Sequence, residues 1–281
     1  METPVRIPVR RMDYAFDGLP KYWFRGNPWT THFLNALSAV FPDGERFFIH
    51  SVRNVQDNID DPHLQAQVRA FIGQEANHGK EHEAFNALLE EKHGVPMSSA
   101  ARFTRNWLLG TARRLPKMRQ LAITIALEHF TAILANQLLE HPEIAEDLRR
   151  PEGDMFLWHA VEETEHKAVA YDVYTRVYGR GVLAYLVRVL TMVVTTVMFL
   201  LFTAVLQQRF LWRDGETFNL RALGGFLKFL YWSPGPLLKI LPDYLDYYRP
   251  SFHPWQHDNR ALIESRVASL AGKEIRGAAP A

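Results

Sequence analysis

Between Thr31 and Tyr178 the apolar residues recur at intervals of three and four, the period of helices packed through one face. Four segments emerge, roughly 31–58, 61–93, 117–140 and 152–178. They are separated by Asp61-Pro62, by His93-Gly94-Val95-Pro96, and by His141-Pro142 with Pro151-Glu152-Gly153. No run alternates with period two for long enough to build a sheet, so the expected class is all-α. Residues 1–30 are rich in Pro, Gly and aromatics and read as an irregular N-terminal arm.

Each apolar stripe is interrupted midway. Segment 61–93 places Phe71, Glu75, His78, His82, Phe85 and Leu89 on one seam. Segment 152–178 places Phe156, His159, Glu163, His166, Ala170, Val173 and Val177. Segment 117–140 gives Leu121, Ile125, Glu128, Ala132, Ala135 and Leu139. Segment 31–58 gives Leu37, Phe41, Glu45, Phe48, Val52 and Val55, and there Pro42 and Gly44 are expected to disturb the helix just before Glu45. These are seams that face a core. All four carry a Glu, and two add a His three residues later.

Four carboxylates buried together are severely unfavourable alone, because an unpaired carboxylate must be desolvated or neutralised. Two divalent cations resolve the conflict. A Glu and a His at i and i+3 project from the same helix face and can reach one ion. The set Glu45, Glu75, His78, Glu128, Glu163 and His166 therefore reads as a di-metal centre: one Glu from each of two helices and Glu-x-x-His from the other two, as in ferritin-like four-helix bundles. The bland alternative holds for each residue taken singly, since a surface Glu or a hydrogen-bonded core His is common. The six together are the specific signal. His82 and His159 lie on the same seams, as extra ligands or as donors that orient a ligand. Asp57, Asn77, Asn136 and Asp172 are further candidates for orienting the histidines.

Composition narrows the chemistry. The 281 residues include no cysteine, which excludes disulfides, thiol catalysis and sulfur-ligated metals, but they include 12 histidines. Lys plus Arg number 32 and Asp plus Glu 31, a balance that argues against nucleic acid as partner. Carboxylate and imidazole ligation suits iron first, with manganese or zinc as alternatives. The first residues, METPVRIPVRRMDYAFDG, contain no apolar run, which predicts no secretory signal and residence on the cytoplasmic side.

The chain after the four segments has its own character. The 20 residues between Arg188 and Arg209 carry no ionisable group, a length that matches a bilayer core. Membrane contact through 189–206, a fully buried fifth helix and a homodimer contact all fit this stretch. Residues 223–255, aromatic and broken by proline, either lie in a membrane interface or wrap the helices and close the mouth of the site. The expected organisation is an arm at 1–30, a di-metal four-helix domain at 31–180, and an apolar helix with a C-terminal wrap at 181–281.

The segments FIGQEANHGKEHEAFN (71–86), LEHFTAILAN (127–136) and LWHAVEETEHKAVAYDVY (157–174), with FPDGERFF (41–48) and PVRRMDY (8–14), resemble the bacterial family of predicted metal-dependent hydrolases, itself similar to ferritin-like di-iron proteins. The resemblance runs from about residue 5 to beyond residue 200 and implies the same six ligands. Three functions are open. The leading expectation is a di-iron enzyme that uses O2 and an electron donor to oxidise a small or lipophilic substrate. The alternative is a hydrolase using metal-activated water. It is either dinuclear or a mononuclear zinc site at His78 and His82, with Glu81 as base, since His78-Gly-Lys-Glu81-His82 fits the inverted zinc-peptidase motif. A non-catalytic metal-binding bundle is the third.

Overall fold

The computed structural model describes residues 6–16, 18–141, 144 and 152–268, with the backbone of 273–274. The first helix, α1 (Pro28–Arg53), starts three residues earlier than the apolar stripe suggests. Asn27 caps it by accepting the Thr30 N–H, and Pro28 occupies a first-turn position that needs no N–H. The second helix, α2 (Pro62–His93), uses the same device, with Asp61 capping His63 N, and ends at Gly94 in the left-handed conformation (φ 65°).

Pro42 does not break α1, contrary to expectation. A proline inside a helix orphans the carbonyl four residues earlier, here Ser38. The Asn86 amide of α2 supplies the missing donor, 2.8 Å from Ser38 O. Glu45 therefore keeps its helical register.

The chain then crosses through α3 (Met97–Phe103), a π-helical turn (Thr104–Leu109) and the short α4 (Gly110–Ala112). It enters α5 (Lys117–Glu140), followed by α6 (Glu152–His166) and α7 (Val169–Tyr178). The last two were expected as one helix. They are separated at Lys167 and Ala168, where the Lys167 ammonium turns aside to donate to His257 O and Asn259 Oδ1. Next come α8 (Val182–Asp214), α9 (Leu220–Tyr231), α10 (Pro236–Lys239), α11 (Leu241–Asp246) and α12 (Arg260–Val267). The protein is all-α. Among the described residues the one departure is an antiparallel pair of two-residue strands, β1 (Arg10–Arg11) with β2 (Lys273–Glu274).

Helix α1 packs along α2, α5 packs along α6, and α8 lies across both α1 and α5. Among the described residues, two helices, α5 and α8, are long and apolar enough to cross a membrane. They differ in burial. Helix α5 is a core helix, whereas α8 buries one face (Met192, Thr195, Leu206, Phe210) and exposes the other. It is not the fully buried fifth helix that was one reading of its sequence. The segment after α9 does wrap the core. Tyr247 and Phe252 are buried against His129, and Arg188 holds the carbonyls of Tyr247 and Arg249.

Candidate metal centre

All six residues singled out by spacing, and His159 with them, meet in one buried cluster. Glu45 comes from α1, Glu75 and His78 from α2, Glu128 from α5, and His159, Glu163 and His166 from α6. Their ligand atoms form overlapping triads, each within 4.8 Å: Glu45 with His78 and His159, Glu75 with His78 and Glu163, and Glu75 with Glu128 and His166. Nε2 of His166 lies 3.1 Å from Glu75, 3.4 Å from Glu128 and 3.6 Å from Glu163. Nδ1 of His78 lies 3.4 Å from Glu163.

These atoms fit divalent cations. Both oxygens of Glu45, Glu75 and Glu128, Glu163 Oε2, His78 Nδ1 and His166 Nε2 are buried without a hydrogen-bond partner. Buried polar atoms are otherwise almost always paired. Aromatic edges from Trp158, Phe71 and Phe41 stand against His78, His166 and His159 and give the cluster apolar walls.

The hydrogen bonds at the outer nitrogens of the histidines fix which nitrogen of each ring faces the cluster. Nε2–H of His78 donates to Glu162 at 3.0 Å, which leaves Nδ1 facing the cluster. For His166, the amide of Gln74 donates to Pro8 O and Glu165, so its oxygen accepts the His166 Nδ1–H at 2.8 Å. His166 Nε2 is thereby left facing the carboxylates of Glu75 and Glu128.

A longer chain orients His159. Because the Asn86 amide donates to Ser38 O, its oxygen takes the Ser38 hydroxyl proton at 2.7 Å. The hydroxyl oxygen then accepts His82 Nδ1–H at 2.9 Å, and His82 Nε2 accepts His159 Nδ1–H at 2.7 Å. The lone pair of His159 Nε2 consequently points at Glu163 Oε1 (3.0 Å) and Glu45 Oε1 (4.0 Å), an arrangement that calls for a cation between them. His82 stands behind His159, whereas the sequence treated the two alike.

Electrostatics follow from burial. It pushes Glu45 and Glu128 well above the ordinary carboxylate value and Glu75 above it. Glu163 goes the other way: burial would raise it, but His166, and with it His78, holds it well below. Burial lowers His159 to about 4, consistent with a neutral ring.

Two expectations about the surroundings fail. The inverted zinc-peptidase motif is not assembled, because His82 is occupied by Ser38 and His159. Glu81 is occupied too, accepting the backbone N–H groups of Asp13 and Tyr14. Nor do the proposed orienting residues act on the histidines. Asn77 donates to Arg10 O, Asn136 to Glu140, Asp172 pairs with His253, and Asp57 is exposed. The residues that hold the rings are Gln74, Glu162 and Ser38, and behind them Arg10 and Glu165. Buried polar side chains next to the ligands in sequence were the available signal for Gln74, Glu162 and Glu165. Arg10 had none from spacing or period.

Gly79 lets α1 approach α2 at the centre. A Cβ there would lie 3.0 Å from Glu45 Oε2 and 3.7 Å from Pro42 Cα. Gly79→Ala is expected to keep the fold and weaken metal binding about tenfold, the scale on which outer contacts tune metal sites. Chelator competition measures it, and unchanged affinity would show that the Glu45 position does not matter.

The family profile described as predicted metal-dependent hydrolase matches residues 8–258. No curated protein and no solved structure matches the chain. The match corrects the leading functional expectation. Oxygen-dependent oxidation was inferred from ligand type alone, and the same carboxylate and imidazole ligands equally serve metal-assisted hydrolysis. The family points to the hydrolase, and to dependence on metal.

Proposed function

Since the chain belongs to the predicted metal-dependent hydrolase family, we propose that it is a dinuclear metal hydrolase whose centre is built from Glu45, Glu75, His78, Glu128, His159, Glu163 and His166. One observation carries the reading: a buried cluster of carboxylate and imidazole atoms that face one another and lack hydrogen-bond partners. The triad Glu45, His78 and His159 would hold one ion and Glu75, Glu128 and His166 the other, with Glu75 and Glu163 as bridges. In this reading α1, α2, α5 and α6 make a ferritin-like four-helix bundle, the scaffold that such ligand sets use.

Bound divalent cations supply Lewis acidity toward a water and toward the scissile carbonyl or phosphoryl oxygen. The chain's part is to hold and orient. Of the ligand carboxylates, Glu45 and Glu163 also line the adjoining cavity.

Elemental analysis with an ester substrate tests the proposal. The metal-loaded protein is expected to hydrolyse nitrophenyl esters, to lose that activity on chelation and to regain it with divalent metal. Glu75→Ala or Glu163→Ala should lower bound metal well below the wild-type content. Full occupancy in both variants would sink the ligand assignment, and hydrolysis indifferent to chelation would sink the reaction.

The exposed apolar face of α8 adds a membrane setting to the proposal. Its uncharged stretch is of bilayer length, and Trp212, Phe218 and Trp232, each at least 70% exposed, are aromatic side chains suited to an interface.

A further inference from the structure

Beside the metal centre lies a cavity of about 610 Å3. On α5 its lining residues run from Arg119 to Leu138, which is about 28 Å of helix at 1.5 Å per residue. The ionisable groups that reach it are Glu45, His159 and Glu163, which belong to the metal centre, and Arg119, which is exposed. The remaining wall is almost wholly aliphatic and aromatic, with a few threonines. A polar ligand entering such a space would give up water without gaining partners, whereas an alkyl chain gains with each methylene removed from water.

The cavity is also continuous with the exposed apolar face of α8. Leu190 and Val194 line it and are 62% and 60% exposed. Its opening therefore lies among apolar side chains. Glu45 and Glu163 enter through the wall, since α5 lines the space on both sides of Glu128.

We infer that this cavity binds a long unbranched acyl chain, with the hydrolysable ester or amide of a lipid-like substrate presented to Glu45 and Glu163. The position of the reacting group rests on the hydrolase proposal; the binding of the chain does not. Hydrolysis there consumes one water, breaks the acyl C–O or C–N bond, and releases a carboxylic acid with an alcohol or amine.

Binding of tritiated palmitate, a free acid with no bond to hydrolyse, to the full-length metal-loaded chain tests the inference without turnover. Palmitate is expected to bind once per chain and acetate not at all. Val194→Trp, which fills the mouth from an exposed position, should weaken palmitate binding at least about tenfold. Val193→Trp, one residue along and outside the lining, should leave it unchanged. Palmitate is offered on albumin and in phosphatidylcholine vesicles. Faster loading from vesicles marks the bilayer as source and equal loading marks free chains, and either supports the occupant. No preference for palmitate over acetate, or equal loss in both tryptophan variants, would overturn the inference. Palmitate binding without hydrolysis of nitrophenyl palmitate by the metal-loaded protein would uphold the chain pocket and remove the hydrolase reading instead.

Discussion

Stripped of metal, the protein is expected to lose stability as pH rises, and the gain from restoring metal is expected to grow with pH. Burial sets Glu45, Glu75 and Glu128 above the ordinary carboxylate value of 4.5. Each folded carboxyl then holds its proton more tightly than the unfolded chain does. Its contribution is complete below 4.5 and is lost as pH rises through the folded value. For His78, burial would lower the ring, but Glu162, Glu163 and Glu75 raise it to about 10. Its contribution is complete below 6.5 and gone above about 10. His166 has the same sign, raised by Glu163 and Glu128 against burial. Glu163, held low, works the other way, contributing above 4.5 and fading only as pH falls. Burial also lowers His159 to about 4 and His82 well below 6.5, so these two favour the fold increasingly up to pH 6.5 and not beyond. Five groups of the cluster against three leave a metal-free fold that weakens from about pH 6.5 upward.

The cations reverse this because they bind the deprotonated ligands and take over from the protons. At metal about a thousandfold above its Kd the stabilisation is about 4 kcal/mol. Thermal melts of chelated and manganese-loaded or zinc-loaded protein between mildly acid and mildly alkaline pH should diverge. Parallel curves would mean that the buried carboxylates are not the metal ligands.

What the sequence made legible divides along physical lines. Helical period and the position of each Glu and His on a seam depend on local geometry alone, so Glu45, Glu75, His78, Glu128, Glu163 and His166 fall on facing stripes by their spacing. The fate of Pro42 could not be read, because the donor that rescues the Ser38 carbonyl comes from Asn86, 48 residues away. Separating His82 from His159 needed the same long-range contacts. Reaction class was illegible for another reason: the ligand set is compatible with more than one chemistry, and ligand type alone favoured the wrong one. The boundary at Pro28 was missed because proline was read as belonging to the arm rather than as a first-turn residue.

Arg10 lies in PVRRMDY, one of the segments that carry the family resemblance, but no spacing or period assigned it a role, and its loss is expected to be among the most damaging in the chain. It sits on the short strand β1, in an arm with little regular structure. Its guanidinium reaches Glu162 Oε1 at 3.1 Å and both oxygens of Glu165 at 2.7 and 2.8 Å. Both carboxylates are buried, and each stands behind a different histidine of the candidate metal centre. Glu162 receives His78 directly, and Glu165 receives the Gln74 amide that in turn orients His166. One cation thus supports both halves of the centre. Val9 beside it presses on Gly73, where an added Cβ would lie 2.8 Å from Val9 Cγ2, so the arm is seated against α2.

Arg10→Ala would strand two buried carboxylates, and breaking a buried pair from one side costs about 3–5 kcal/mol. A fall in melting temperature alone would not separate a structural role from a positioning one. Arg10→Lys does, because it keeps the charge and lacks the planar fork that grips Glu165 with two parallel bonds. That variant is expected to stay folded and to bind metal about tenfold to a hundredfold more weakly, the usual effect of disturbing the partner of a ligating histidine. Chelator competition on the folded variant gives the answer. Wild-type metal affinity in Arg10→Lys would reduce Arg10 to a charge partner and leave the histidines oriented by their immediate neighbours alone.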